Sequence, residues 1–270
     1  MKEDWKYEKI YGGQGKISTP YANDDSEHSQ IVSDCKRKDY GHGNTGKAFI
    51  SSVLELNPKS LLDVGCGHNE FCHDLVRTHH RPCPFCFDRS DEVWQANLDA
   101  RMKDNNKYAD EQGNWTSRDD LPDHPMFAAG ADCACPGADV IATAGDLPFH
   151  NNSFDMITSF DCMEHIAEEE IEQVMNELHR VTNKHVFLQI DLADHGTKID
   201  GELLHVTLKE RDWWNDMIGK KFKIEITHEL YTSKHPGLSS NLPIHGDGAT
   251  ATRICHKSTE NLHIVKGIKK

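Results

Sequence analysis

The stretch Ser60-Leu61-Leu62-Asp63-Val64-Gly65-Cys66-Gly67-His68-Asn69-Glu70-Phe71 constrains this chain more than any other. Leu61 to Val64 has the length and apolar character of a buried strand, and the stretch runs on into an acid and two glycines spaced by one residue. Residues Phe71 to Val76 then suit a helix. Glycine belongs in such a turn because the backbone must bend sharply and approach a ligand with no Cβ in the way. Strand, glycine turn and helix in that order open a parallel α/β unit, and open α/β sheets bind ligands at the carboxyl ends of their strands.

Length and charge narrow the classes that remain. With 270 residues the chain fits one large α/β domain, or one domain with decorations. Its net charge is −14, from 44 acids against 30 basic residues, which argues against a broad surface that tracks phosphates. The nine cysteines come with no signal peptide, so the expected setting is a reducing cytoplasm. No apolar run approaches membrane-spanning length, and no membrane partner is expected.

Two ligand classes use a turn of this kind. A dinucleotide fingerprint, Gly-x-Gly-x-x-Gly, would place glycine at position 70, where this chain has Glu70. A pyrophosphate at the helix N-terminus would meet that carboxylate, which demotes the dinucleotide. Asp63-x-Gly65-x-Gly67 instead resembles motif I of class I S-adenosylmethionine (SAM) methyltransferases, whose ligand carries a sulfonium cation and an amino-acid tail. That family often has a third glycine where Asn69 stands here, and Asn tolerates left-handed backbone.

Further along, Pro82 to Asp88 reads as a second strand ending in an acid, and Asp88 lies 23 residues beyond Gly65. A nucleotide-binding βαβ unit places its ribose-binding carboxylate at about that distance. Asp139 to Ala144 reads as the third strand, and Gly145-Asp146-Leu147-Pro148-Phe149 resembles the family's adenine-binding segment. The resemblance gives Asp146 the adenine amino group and the next backbone N–H, that of Leu147, the ring. Met156 to Phe160 is the fourth strand and His185 to Ile190 the fifth. A helix with a 3.6-residue apolar stripe (Ile171, Val174, Met175, Leu178, Val181) lies between them. The family's Pro-Gly-Gly before strand five is replaced by Thr182-Asn183-Lys184. A helix from about Lys209 to Met217, with Trp213 and Trp214 inward, precedes strands at Phe222–Leu230 and Asn261–Gly267.

The expected fold is therefore α/β: a three-layer α-β-α, Rossmann-like, seven-stranded and mostly parallel sheet with one antiparallel strand. It is read as a single methyltransferase domain over 45–270, with an insertion at about 104–138 and a loop at about 231–258. Residues 1–44 form an arm, either a surface segment pinned by its aromatics or a lid over the site. Gly41-His42-Gly43-Asn44-Thr45-Gly46-Lys47-Ala48 nearly matches a phosphate loop, but Ala48 offers no hydroxyl to a cation and no buried strand precedes it. The better reading is a loop feeding a helix from about Thr45 to Leu56. Cys83, Cys86, Cys133 and Cys135 are read as buried thiols rather than structural zinc ligands. On a strand Cys83 and Cys86 would point to opposite faces.

The expected cofactor is SAM, with Asp63, Gly65, Cys66, Gly67, Asp88, Arg89, Asp146, Leu147 and Asp161 as the residues that hold it. Methyl transfer from a sulfonium needs an aligned acceptor and a place for its proton. His165 and His205 are the candidate bases. Asp161-x-x-Glu164-His165 with the later His205 also resembles the Glu-x-x-Glu-His…His site of small-RNA 3′-end 2′-O-methyltransferases, and a related segment of metal-assisted ubiquinone-pathway O-methyltransferases. That resemblance makes Asp161, Glu164, His165 and His205 a candidate set for Mg or Mn. The plain alternative has Asp161 and Glu164 capping the helix near Ile166. No Asn/Asp-Pro-Pro-Tyr/Phe segment and no Pro-Cys pair follows strand four, which speaks against DNA amine and cytosine-C5 acceptors. A small molecule with a hydroxyl or amine, such as a sugar or quinone precursor, is the leading acceptor. An RNA 3′-end and a non-catalytic SAM-binding subunit are the alternatives.

Overall fold

The computed structural model describes residues 17–18, 45–67, 71–72, 75, 85–88, 140–194, 196, 198–234 and 261–270. Most of the N-terminal arm, Arg89, the insertion, the thiols of Cys83, Cys86, Cys133 and Cys135, and the loop after Lys234 lie outside the described residues. In chain order the elements are β1 (Ile17–Ser18), a 3₁₀ turn (Thr45–Phe49), α1 (Ile50–Glu55), β2 (Leu61–Val64), β3 (Phe85–Asp88), β4 (Val140–Ile141) and β5 (Phe154–Phe160). A 3₁₀ turn (Met163–His165), α2 (Glu168–Val181), β6 (Thr182–Asp191), β7 (Lys198–Ile199), β8 (Glu202–Leu203) and α3 (Arg211–Gly219) follow. The chain closes with β9 (Phe222–Ile226), α4 (His228–Lys234) and β10 (Leu262–Lys269).

Seven of the strands form one sheet in the order β4-β3-β2-β5-β6-β10-β9. The pairs from β4 through β6 are parallel, and β10 runs antiparallel to both β6 and β9. This is the α/β, mostly parallel architecture expected from the sequence. The chain builds outward from β2 in one direction, through β3 and β4, and then in the other through β5 and β6. The order thus reverses between β2 and β5, and a ligand crevice belongs at the carboxyl ends of those two strands.

Strand alternation splits the interior into two cores, one on each face of the sheet. Leu62, Val64, Ile157, Val186, Leu188, Ile190 and Val265 face α2 and α3. Leu61, Met156, Phe160, Phe187, Leu262 and Ile264 face α1 and α4. The α2 stripe buries all five of the residues its period predicts, with Glu168, Glu169 and Glu170 in the first turn and His179 and Arg180 in the last. On the other face Phe49 stacks on Phe160 at 5.3 Å and meets Phe187 edge-on at 5.4 Å. Gly46 is required by that packing, because a Cβ there would lie 2.6 Å from the Phe160 ring.

Several elements differ from expectation, each for a local reason. The helix expected from Thr45 to Leu56 starts as a 3₁₀ turn and ends at Glu55. The third strand is cut to Val140–Ile141, because Thr143 and Asp146 bridge and turn the chain. Strand five begins at Thr182, directly after α2: the Thr182 hydroxyl closes the helix on the Leu178 carbonyl while the Lys269 ammonium meets the Thr182 carbonyl. The departure from Pro-Gly-Gly is thus itself strand. The helix near 209 runs from Arg211 to Gly219, and of its two tryptophans only Trp214 is fully buried. Adjacent residues on a helix point about 100° apart, so Trp213 lies only partly buried, edge-on to Trp214 at 4.9 Å.

The strand expected to reach Leu230 stops at Ile226 and becomes α4. Helical geometry brings Tyr231 back into the core, where its ring meets Phe49 and its hydroxyl lies 2.6 Å from that of Ser52. Before α3, β7 and β8 form a hairpin that turns at Asp200 and Gly201, both with positive φ. Asp-Gly is a preferred pair for such a turn. Ile17–Ser18 of the arm adds to this hairpin by pairing antiparallel with Lys198–Ile199. Among the described residues no helix is long and apolar enough to cross a membrane.

Candidate active site

The glycine turn leaves β2 with Gly65 at φ 72° and Gly67 at φ 53°, a backbone region that side chains disfavour. A Cβ on Gly65 would lie 2.4 Å from the Cys162 sulfur, so the turn and the start of the β5 loop are packed backbone to side chain. Asp63, 3% exposed, does not reach out of this turn. Its Oδ1 accepts the Thr158 hydroxyl at 2.7 Å, and the Cys72 thiol lies 3.7 Å from its Oδ2. Ser159 donates to the Val64 carbonyl at 2.9 Å. Asp63 therefore braces β2 against β5 and holds the turn in place. Cys66 is buried, with its thiol on the Gly67 carbonyl.

Asp88 ends β3 in register with Ile141, at the ligand end of the sheet. Asp146 is exposed on the turn after β4, its amide on the Thr143 carbonyl at 3.0 Å. Leu147 departs from expectation. Its side chain is 3% exposed, and its N–H, expected to meet the adenine ring, donates to the Glu177 carboxylate at 2.9 Å.

Past β5 the chain takes a left-handed step at Asp161, φ 51°. Such a step costs an Asp roughly 1 kcal/mol. Gln189 of β6 offsets that with both ends of its amide: Oε1 accepts the Asp161 N–H at 3.1 Å, and Nε2 donates to Asp161 Oδ1 at 2.8 Å. Neither Asp161 nor Glu164 caps a helix. The residue before α2 is Ala167, and neither α2 nor the Met163–His165 turn has a side-chain cap.

Glu164 is fully buried, and its carbonyl accepts the amides of Val206 and Thr207 at 2.9 and 3.0 Å. The Thr207 hydroxyl donates to the Ile166 carbonyl. This stitching lays residues 204–207 along residues 164–166 and brings His205 onto His165, with ring centroids 4.7 Å apart at 75°. Each ring is anchored through Nδ1, His165 on the Leu204 carbonyl at 3.0 Å and His205 on the Ala193 carbonyl at 2.8 Å. Ligand atoms of Glu164, His165 and His205 all lie within 4.8 Å of one another. Asp161 stands apart from this trio and groups instead with Glu164 and Asp191.

Asp194, just past the carboxyl end of β6, is exposed and holds the Gly196 amide at 2.7 Å. Gln189 and Thr158 went unread in the sequence. A lone polar residue in an apolar strand is the signal that flags Gln189, since a buried amide must find partners.

Residues 62–190 match the family model for a methyltransferase domain. Among solved structures, the chain is similar to magnesium protoporphyrin IX methyltransferase from Synechocystis PCC 6803 with bound SAM, at 14% identity and a TM-score of 0.51, over 98% of this chain and 90% of that one. It is also similar to 1,6-didemethyltoxoflavin-N1-methyltransferase from Burkholderia thailandensis, at 13% identity and a TM-score of 0.51, over 95% of this chain and 96% of that one. No curated protein matches the chain. At these identities the structural likeness speaks for the fold, and the domain match falls on the glycine turn, β5 and the site segment after it. The match over residues 62–190 marks a methyltransferase domain in this chain, and the likeness to the two solved methyltransferases marks its fold.

Proposed function

We propose that this enzyme methylates a hydroxyl, or an amine, of a small-molecule acceptor held beside Glu164, His165 and His205. The observation that carries this reading is the convergence of those three side chains within 4.8 Å, at the carboxyl end of β5. SAM supplies a methyl group already activated on a sulfonium, so alignment and proton removal are left to the protein. The anchors on Leu204 and Ala193 orient both imidazoles. With Nδ1 donating to a carbonyl, Nε2 keeps the lone pair and can take the acceptor proton. The Glu164 carboxylate then favours the imidazolium that results. Asp88 at the end of β3 and the positive-φ glycine turn at Gly65 and Gly67 support the cofactor reading.

The same donor set favours a second reading. One carboxylate and two imidazoles at this spacing fit a divalent cation such as Mg or Mn, with Asp161 left to Gln189. Held by Glu164, His165 and His205, the ion would lower the pKa of an acceptor hydroxyl and remove the need for a strong base.

The net charge of −14 favours a small metabolite over an RNA end as acceptor. The pairing of Ile17–Ser18 with the β7 strand, just upstream of His205, supports the arm as a cover for the acceptor. The expected setting is the cytoplasm.

Labelled SAM presented with metabolite pools tests the acceptor class: transfer to a small molecule is expected, and transfer to RNA alone would overturn it. With an acceptor in hand, chelator separates the two readings of the trio. If the histidines act as base, activity survives chelator and His205→Ala flattens the acidic limb of the pH profile. If a cation acts, chelator abolishes transfer while cofactor affinity stays nearly constant, and His205→Ala raises the ion concentration required.

A further inference from the structure

Three polar residues of α2, Gln173, Glu177 and Arg180, share one face of the helix beside its buried stripe, at spacings of four and three residues. All three reach the backbone of the loop after β4. Gln173 donates to the Gly145 carbonyl at 2.7 Å. Glu177 accepts the Leu147 amide at 2.9 Å. The Arg180 guanidinium donates to the Leu147 carbonyl at 2.8 Å and to the Phe149 carbonyl at 2.6 Å, and it grips both oxygens of Glu177 at 2.7 Å. Its last contact is Asn151 Oδ1 at 3.1 Å. A loop of this kind would ordinarily meet water with these groups.

We infer that Gln173, Glu177 and Arg180 are positioning residues that present the Thr143–Asp146 turn to the adenine end of the cofactor. The inference rests on the SAM reading of the crevice. Stability alone explains the arrangement poorly. Arg180 and Glu177 keep 31% and 16% of their side-chain surface, and partly exposed ion pairs add little to folding. What a charged, two-pronged grip supplies is geometric precision. The clamp takes four backbone groups between Gly145 and Phe149 on the α2 side. The turn itself, closed by the Thr143–Asp146 bridge, stands at the carboxyl end of β4 with the Asp146 carboxylate exposed. A carboxylate fixed there accepts from the 6-amino group of adenine and repels a 6-oxo group.

The test is calorimetric titration of the full chain with S-adenosylhomocysteine and with S-inosylhomocysteine, in which the 6-amino group is replaced by a 6-oxo group. Wild type should prefer the adenosyl compound. In Arg180→Met and in Gln173→Ala that preference should shrink by roughly five- to tenfold, the scale of one or two hydrogen bonds. Arg180→Lys should restore part of it. Gln173 is exposed, so its variant remains informative if the Arg180 variant fails to fold. Equal losses for both compounds, or no loss for either, would reduce the clamp to structural support and overturn the inference. Absence of S-adenosylhomocysteine binding by wild type would overturn the cofactor reading itself, and the clamp's role with it.

Discussion

His263 on β10 lies opposite Ile190, is 1% exposed, and has no hydrogen-bond partner at either ring nitrogen among the described residues. Burial, helped by His228 and Arg211 and opposed by Glu229, lowers its pKa from 6.5 to about 4. The folded protein therefore holds the ring neutral at pH 7, while the unfolded chain takes a proton as pH falls below 6.5. Between those values the unfolded state binds more protons, so stability is lost on acidification and the loss stops once the folded ring also titrates. Over that window it amounts to about 3 kcal/mol. His228, also buried with its pKa lowered by burial first, adds in the same direction. Urea unfolding of His263→Leu should show a difference between pH 7 and pH 4.5 smaller than wild type by about 2 kcal/mol. Equal pH dependence would mean that the ring is solvated or paired.

Elements were legible where their period was long and unambiguous. The α2 stripe reads directly from Ile171 to Val181, and all five positions are buried. Phe222 to Leu230 shows the limit of such a reading. Nothing local separates a strand that continues from one that gives way to α4, because the deciding contact, Tyr231 with Ser52, spans 179 residues. The Asp200-Gly201 hairpin was a different miss, since its turn signal is local and present. Its pairing with β1 could not be read, because two residues of an irregular arm carry no period. That pairing leads to a prediction for the arm. Deleting residues 1–40 should raise the acceptor KM while leaving S-adenosylhomocysteine affinity within about twofold, because Ile17–Ser18 joins the hairpin just upstream of His205. A matching loss of cofactor affinity would instead place the arm over the cofactor.

At the scale of the molecule, two cores pressed on opposite faces of one sheet leave the carboxyl ends of β2, β3, β5 and β6 side by side, with Gly65, Asp88, Asp161 and Asp191 at or just past those ends. The sequence marked the acids and histidines that end apolar strands as the candidates for chemistry. It did not tell which of them serve one another. Asp63 turned out to hold Thr158, the Leu147 amide to hold Glu177, and Asp161 to hold Gln189, each across a gap of nearly thirty residues or more. The identity of the cofactor decides the rest. Calorimetry of the full chain with S-adenosylhomocysteine and with NAD, repeated on Asp88→Ala, addresses it most directly. S-adenosylhomocysteine should bind saturably, NAD should give no heat, and Asp88→Ala should lose roughly 1.5–3 kcal/mol of affinity, as expected for charge-assisted hydrogen bonds to the ribose. Binding of NAD in place of S-adenosylhomocysteine would contradict the account, and unchanged affinity in Asp88→Ala would remove Asp88 from the cofactor site.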